Sequence, residues 1–306
     1  MNIFSSMLKP TRESLSNKNS KEEAFFSLSG KYQRLIESLA SVRAASGAAY
    51  VPPPEHMPLE LRDEFMMQGR AEIIDWYLNN KPDPKSLASL VMYRKPLIAQ
   101  TRKDIAQRKY KSYGATNDHL RSALTYYPIK NRFVLIVGSA YPQYECFCLN
   151  AGARPVTVEY NVRFSDSDDL TFFSPAQFDA LGVKGEGAIA ISSYEHDGLG
   201  RYGDPVDPTG DLKSMRKLQS QLEPGSLAYI SVPIGRDTVV WNAHRIYGRH
   251  RLPMLFDQWE VVSCFGDSHQ LLEVKNGMLV VDPEKWDSHF APSRSRPEWV
   301  FVLRAR

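Results

Sequence analysis

The sequence predicts an α/β fold, a mostly parallel sheet built from strand–helix–strand units and entered through a helical N-terminal region. Three observations predict it. After Asn131, short apolar runs separated by Gly, Pro and Asp alternate with helical segments, the pattern of strands buried on both faces. Before Asn131, apolar residues recur at three- and four-residue steps. The charge divides at the same place: residues 1–130 hold 20 Lys and Arg against 13 Asp and Glu, and residues 131–306 hold 18 against 22. The organisation expected is therefore a flexible tail over 1–23, a helical cap over 24–130 and a Rossmann-like domain over 131–306.

At 306 residues and 42% apolar composition the chain can bury a sizeable core. No apolar run approaches the roughly 18–20 residues of a membrane helix, and the first thirty residues lack an apolar signal core, so a cytoplasmic protein without a membrane span is expected. Three cysteines, Cys146, Cys148 and Cys264, cannot build a disulfide framework, and the Cys146-x-Cys148 spacing is not that of a zinc knuckle.

Along the N-terminal region, Phe25, Leu28, Tyr32, Leu35, Ile36, Leu39 and Val42 mark an amphipathic helix ended by Gly47. Pro52, Pro53 and Pro54 force an extended link. Pro58 then opens a second helical stretch, with Leu61, Phe65, Ile73, Tyr77 and Leu78 as its stripe, broken at Pro82-Asp83-Pro84. Two or three more helices fill 85–127. Within 94–111, Arg94, Lys95, Arg102, Lys103, Arg108, Lys109 and Lys111 stand against one acid, Asp104. No nucleic-acid motif accompanies them, so they read as a solvated helix face and nucleic acid is not an expected partner. In the second half, strands are expected at 133–137, 155–159, 188–192, 227–232, 261–265 and 299–303, helices near 143–151, 212–222 and 250–256, and a hairpin at 272–281 around Asn276-Gly277.

Four constellations could carry chemistry. Phe133-Val134-Leu135-Ile136-Val137-Gly138-Ser139 is a buried strand ending on glycine before a helix, which presents free N–H groups to an anionic or nucleotide ligand; every strand–helix unit has such a turn, so the motif alone is weak. Glu159, about twenty residues on, closes the next strand where a carboxylate accepts hydrogen bonds from ribose hydroxyls. The densest segment runs from Ser192 and Ser193 through Glu195, His196, Asp197, Gly198, Gly200, Arg201, Gly203 and Asp204 to Asp211. It leaves a strand's carboxyl end, and His196 there could act as a general base or substrate clamp oriented by Glu195 or Asp197. Alternatively the loop is a solvated, helix-capping connection, or Glu195, His196, Asp197 and Asp204 ligate a metal, although their spacing matches no specific metal motif. Finally, Arg236, Asn242 and His244 leave another strand end, where an arginine suits a carboxylate or phosphate and a knitted surface loop is the plainer alternative.

The order Val137-Gly138, Glu159, Glu195-His196 and a strand ending Ser231-Val232-Pro233 resembles class I S-adenosylmethionine-dependent methyltransferases. More narrowly, residues 195–205 (EHDGLGRYGDP) with Asp211 are similar to the DUF268 family; the resemblance covers about residues 130–306. It implies a seven-stranded Rossmann-like methyltransferase sheet with an antiparallel last strand near the C-terminus, S-adenosylmethionine as cofactor, and a small polar acceptor such as a sugar or glycoconjugate hydroxyl. Carried onto this chain, Gly138 and Ser139 lie against the methionine part, Glu159 holds the ribose, and Ser193 and Glu195 line the cofactor. His196 and His244 are the base candidates; Glu195, Arg201 and Arg236 complete the catalytic set, with an arginine clamping an anionic acceptor. The N-terminal helices shape the pocket and support a homodimer. The first motif departs from the family pattern, with Ile136, Ala140 and Pro142 standing where an acid and two glycines are usual. A non-catalytic Rossmann-like binding protein and a metal-using sugar-nucleotide transferase are the alternatives.

Overall fold

In a computed structural model of the chain, residues 27–45, 52–78, 91–266, 271–290 and 297–306 are described. Seven strands form the main sheet: β1 (Phe133–Val137), β2 (Arg154–Val158), β3 (Thr171–Phe173), β4 (Gly185–Ile191), β5 (Leu222–Pro233), β6 (Trp259–Phe265) and β7 (Glu298–Ala305). Their order across the sheet is β6-β7-β5-β4-β1-β2-β3. The pairs β1–β2, β1–β4, β2–β3 and β4–β5 are parallel, and only β7 runs against its neighbours, between β5 and β6. This is the α/β sheet with a reversed last strand that the family resemblance implies. The chain winds outward from β1 to β3 and then returns to β4 on the other side, so the switch in direction falls between β1 and β4. Open sheets place their ligand crevice outside the carboxyl ends at such a switch.

Alternation along each strand makes two cores. From β1, Phe133 and Leu135 join Val156, Ala188, Ala190, Ile230 and Val232 on one face, covered by Leu212, Met215 and Leu218 of the helix Gly210–Ser220. Val134 and Ile136 join Ile189, Ile191, Val300 and Val302 on the other. That second face is covered by Ile98 and Ile105 of the helix Lys95–Ala106, Leu120 and Ala123 of Gly114–Tyr126, and Phe147 of Gln143–Asn150. Two of the N-terminal helices therefore cover this face of the sheet.

The second helical stretch is shorter than its periodicity suggested. Its helix covers only Leu59–Phe65; Met67, Gln68 and Gly69 at φ 50°, 58° and 85° turn the chain, and Glu72–Ile74 is extended. A strand partner decides this: Glu72–Ile74 pairs parallel with Thr238–Val240, which pairs antiparallel with His244–Ile246. Likewise Val91–Tyr93, expected within a helical region, pairs with Arg163–Ser165. The first helix spans Leu28–Ala45; its expected flanks Phe25 and Gly47, the tail over 1–23 and Pro82-Asp83-Pro84 lie outside the described residues. The hairpin Leu272–Lys275 and Met278–Val281 turns through Asn276 and Gly277, both at positive φ (53° and 73°) as a two-residue primed turn requires.

Candidate functional site

Strand register sets the site. Val137 pairs with Val158, so Gly138 and Glu159 leave adjacent strands side by side. Val137 also pairs with Ala190, and Ile191 pairs with Ser231, which brings the start of the 192–211 loop next to Gly138 on one side and to the end of β5 on the other. Glu298 pairs with Pro233, placing the first residue of β7 on the same edge. The carboxyl edge thus carries, in order, Glu159, Gly138, Ser192, Ser231 and Glu298.

At the switch point the backbone is tight. Gly138 sits at φ 72°, and a Cβ there would strike the Ser193 side chain, so glycine is required by the approach of the chain's own loop. Ser192, at φ 52°, holds a left-handed conformation uncommon for a serine, and its partner Tyr113, at φ 55°, does the same. The Tyr113 hydroxyl donates to Ser192 Oγ (3.1 Å), which donates to Glu195 Oε1 (2.6 Å).

The 192–211 loop is folded on itself. Gly198, Gly200 and Gly203 lie at φ 79°, 72° and 90°, as a close-turning loop needs. The Asp204 carboxylate accepts from the N–H groups of Gly198 (2.7 Å), Gly200 (3.1 Å) and Tyr202 (3.3 Å). Two buried arginines fix the loop from behind. Arg245 donates to the carbonyls of Asp197 (2.5 Å) and Asp207 (3.2 Å), while Arg251 donates to Pro208 O (2.6 Å) and twice to Asp211 (2.9 and 2.5 Å). Those cations hold the wholly buried Asp211 carboxyl below the usual carboxylate range despite its burial. Asp204 is thus engaged by backbone, and among the described residues no group of three His, Cys, Asp or Glu is arranged to hold a metal.

The structure brings His196 and His244 together, with ring centroids 6.5 Å apart. His196 Nδ1 lies 2.6 Å from the Ala243 carbonyl, which can only accept, so Nδ1 carries the proton. Nε2 is then a lone pair 3.5 Å from Glu195 Oε1. Burial pushes the imidazole down to about 4, so the ring is neutral at neutral pH. Arg201 shares the Ala243 carbonyl at 3.2 Å and lies over the Tyr202 ring. Glu195 is 1% exposed, and burial raises its carboxyl well above the ordinary range.

Three candidates stand apart from this group. Arg236 turns away, donating to Phe290 O and Asp287 O (2.8 Å each), which fastens the helix Pro283–His289 to the sheet. Ser139 is wholly buried and points inward, its hydroxyl against Glu145 Oε2 (2.9 Å) and Tyr141 O (3.0 Å). Glu159 opens on a separate cleft beneath the first helix, lined also by Lys31, Arg34, Asn161, Arg163 and Phe173. Its Oε1 accepts from Asn161 N (3.1 Å) and Nδ2 (3.2 Å), while Oε2 takes no hydrogen bond from a described residue. Glu159 lines this cleft, and Gly138, Glu195, His196 and Arg201 are not among the residues that line it.

Sequence reasoning missed Glu145, Glu298 and Tyr113. Glu145 is wholly buried under the Gly138 turn, where Ser139 and Thr157 (2.8 Å) reach its two oxygens and burial raises its pKa above the ordinary value. Its signal was an acid flanked by apolar side chains in Gln143-Tyr144-Glu145-Cys146-Phe147. Glu298 and Tyr113 reach the edge only through long-range pairing, which no local pattern reports.

The family described as "Caenorhabditis protein of unknown function, DUF268" matches residues 131–285, half of the chain. The chain belongs to the DUF268 family. No curated protein sequence matches it. Among solved structures it is similar to the Burkholderia thailandensis 1,6-didemethyltoxoflavin-N1-methyltransferase with bound 1,6-didemethyltoxoflavin and S-adenosylhomocysteine (13% identity, TM-score 0.44, 76% of this chain and 93% of that one). It is also similar to TehB from Haemophilus influenzae (10%, 0.40, 67% and 67%) and to the CcbJ methyltransferase from Streptomyces caelestis (13%, 0.37, 61% and 89%). The fold of this DUF268 chain stands on its own strand order. Among the described residues no helix is long and apolar enough to cross a membrane.

Proposed function

We propose that this DUF268 chain is an S-adenosylmethionine-dependent methyltransferase acting on a small polar acceptor, a sugar or glycoconjugate among the classes the resemblance suggests. One observation carries the reading: the Val137–Val158 register sets a glycine turn and a strand-end carboxylate side by side at the point where the strand order switches. The residues fit the nucleoside half of such a cofactor, because Glu159 lines a cleft and keeps Oε2 without a hydrogen bond for a ribose hydroxyl. At the methionine half, the hydroxyl of Ser193 beside Gly138 is the polar group at hand, in place of a motif acid.

When bound, S-adenosylmethionine supplies an electrophilic methyl group. The chain's part is to place the acceptor over the Ser192–Glu195–His196 corner, held rigid by Arg245 and Arg251, since alignment supplies most of the advantage in such a transfer. His196 is neutral, so its Nε2 lone pair can take a hydrogen bond from an acceptor hydroxyl. Arg236 faces away, bonded to Phe290 and Asp287 carbonyls, whereas Arg201 stands beside His196, sharing the Ala243 carbonyl with it, and is the arginine placed for an anionic substituent. A cytoplasmic location and a homodimer through the N-terminal helices belong to the same reading; sedimentation equilibrium checks the dimer.

A second reading, a non-catalytic Rossmann-like binding protein, is favoured by the contact of Gly138 with Ser193 and the inward turn of Ser139, which put the chain's own groups where a cofactor's methionine end would lie. Calorimetric titration of the full chain with S-adenosylmethionine and S-adenosylhomocysteine decides between them. The methyltransferase reading expects saturable binding, weakened in Glu159→Ala by about 2–4 kcal/mol, roughly 30- to 1,000-fold, for two lost charge-assisted hydrogen bonds. Absence of binding to the wild type selects the second reading, and binding that Glu159→Ala leaves unchanged removes Glu159 from the site.

A further inference from the structure

Two carboxyl groups stand at neighbouring places on the carboxyl edge, Glu195 on Ser192 and Glu298 on Ser231, the two serines joined by the Ser192 N–H to Ser231 O hydrogen bond (3.0 Å), and among the described residues no lysine or arginine forms an ion pair with either. Glu195 rises from the 192–211 loop; its Oε1 accepts from Ser192, but its Oε2, buried, makes no hydrogen bond. A buried carboxylate oxygen left without a donor is costly, and native sites seldom keep one without a use. Glu298 arrives from the opposite side at the start of β7, partly exposed, with Ser231 Oγ donating to its Oε2 (3.3 Å). Burial first, and the neighbouring Glu195 charge second, raise the Glu298 carboxyl above its ordinary value, so the two acids resist ionising together. The other titratable groups acting on the pair are Tyr113, Tyr144, His196, Asp197, Arg201 and Tyr247. His196 is neutral, and Arg201, whose charge favours the Glu195 carboxylate, makes no ion pair with it, its guanidinium bonding to the Ala243 carbonyl and lying over the Tyr202 ring.

We infer that the Glu195–Glu298 pair is the seat of a protonated amine, and hence that the acceptor carries an amino group whatever the rest of its skeleton. An ammonium has three donors and no acceptor, which matches Glu195 Oε2, the Glu298 carboxylate and a serine hydroxyl at the same edge. Its charge allows both acids to ionise, relieving their repulsion. The assignment of this amine to the acceptor rests on the methyltransferase reading; the seat itself does not.

Methylammonium, the smallest alkylamine, tests the seat without assuming a skeleton. Thermal unfolding of the full chain in methylammonium chloride is compared with sodium chloride and tetramethylammonium chloride at equal ionic strength. The expected result is a saturable, methylammonium-specific rise in midpoint, with apparent affinity lowered about tenfold or more in Glu298→Gln and in Glu195→Gln. Because the buried Glu195→Gln variant can misfold, wild-type calorimetry in two buffers of different ionisation enthalpy provides a second readout: methylammonium should expel protons near neutral pH. Equal stabilisation by tetramethylammonium, which has no N–H, or binding without proton release, overturns the seat. Wild-type titration with S-adenosylhomocysteine separates the two claims: cofactor binding without a methylammonium effect removes the amine seat alone, and the reverse pattern keeps the seat and removes its assignment to a methyl acceptor.

Discussion

Glu145 shows what a single side chain does beneath the site. Its carboxyl is wholly buried and tied to Ser139 and Thr157, so it holds the Gly138 turn from below while resisting ionisation. For an acid whose folded-state value is raised, the folded protein binds the proton more tightly than the unfolded chain. Stability is therefore full below the unfolded value near 4.5 and declines as pH rises through the window up to the raised folded value. Glu145→Gln, which keeps the shape and removes the charge, should flatten that decline and raise stability at neutral pH by about 1 kcal/mol, read by urea denaturation at several pH values. A steeper pH dependence in the variant would show that the carboxylate is stabilised in place. The sequence pointed to Gly138 and Glu159 by spacing alone, and the register set them side by side; it could not show that Ser139 faces inward, because that depends on an acid six residues later and a threonine on the next strand.

At the scale of elements, the 192–211 loop was legible as a unit. Its three glycines at positive φ and its exit from a strand end follow from local sequence, whereas the groups that hold it, Arg245 and Arg251, come from later in the chain and carried no signal beyond their charge. The same limit hid β3, only three residues long, and turned Glu72–Ile74 from expected helix into strand. Asp211 balances both arginines in the interior, so Asp211→Ala leaves two buried cations without their counter-charge and should cost about 3–5 kcal/mol. Chemical denaturation measures that loss, and limited proteolysis should show earlier cutting within 195–209. A cost below about 1 kcal/mol would mean that the backbone carbonyls alone satisfy the arginines.

For the molecule as a whole, the sheet gathers the first described helix and the last strand around its carboxyl edge. The first helix reaches the Glu159 cleft through Lys31 Nζ to Ser167 O (3.0 Å), Ser38 Oγ to Gln177 Oε1 (3.1 Å) and Arg34 over the Phe173 ring, while β7 delivers Glu298. Removing residues 1–51 strips one wall of the cleft and leaves both sheet cores covered, so the truncated chain should unfold cooperatively yet bind S-adenosylhomocysteine at least tenfold more weakly by calorimetry. Unchanged affinity would place the nucleoside away from the first helix. The central claim, that Glu159 holds the ribose of a cofactor whose methionine end lies toward the Gly138 turn, is tested most directly by a crystal structure of the full chain with S-adenosylhomocysteine. The account expects the ribose hydroxyls within hydrogen-bond distance of the Glu159 carboxylate and the sulfur side toward Gly138 and Ser193; a ligand bound elsewhere, with Glu159 still held only by Asn161, would contradict it.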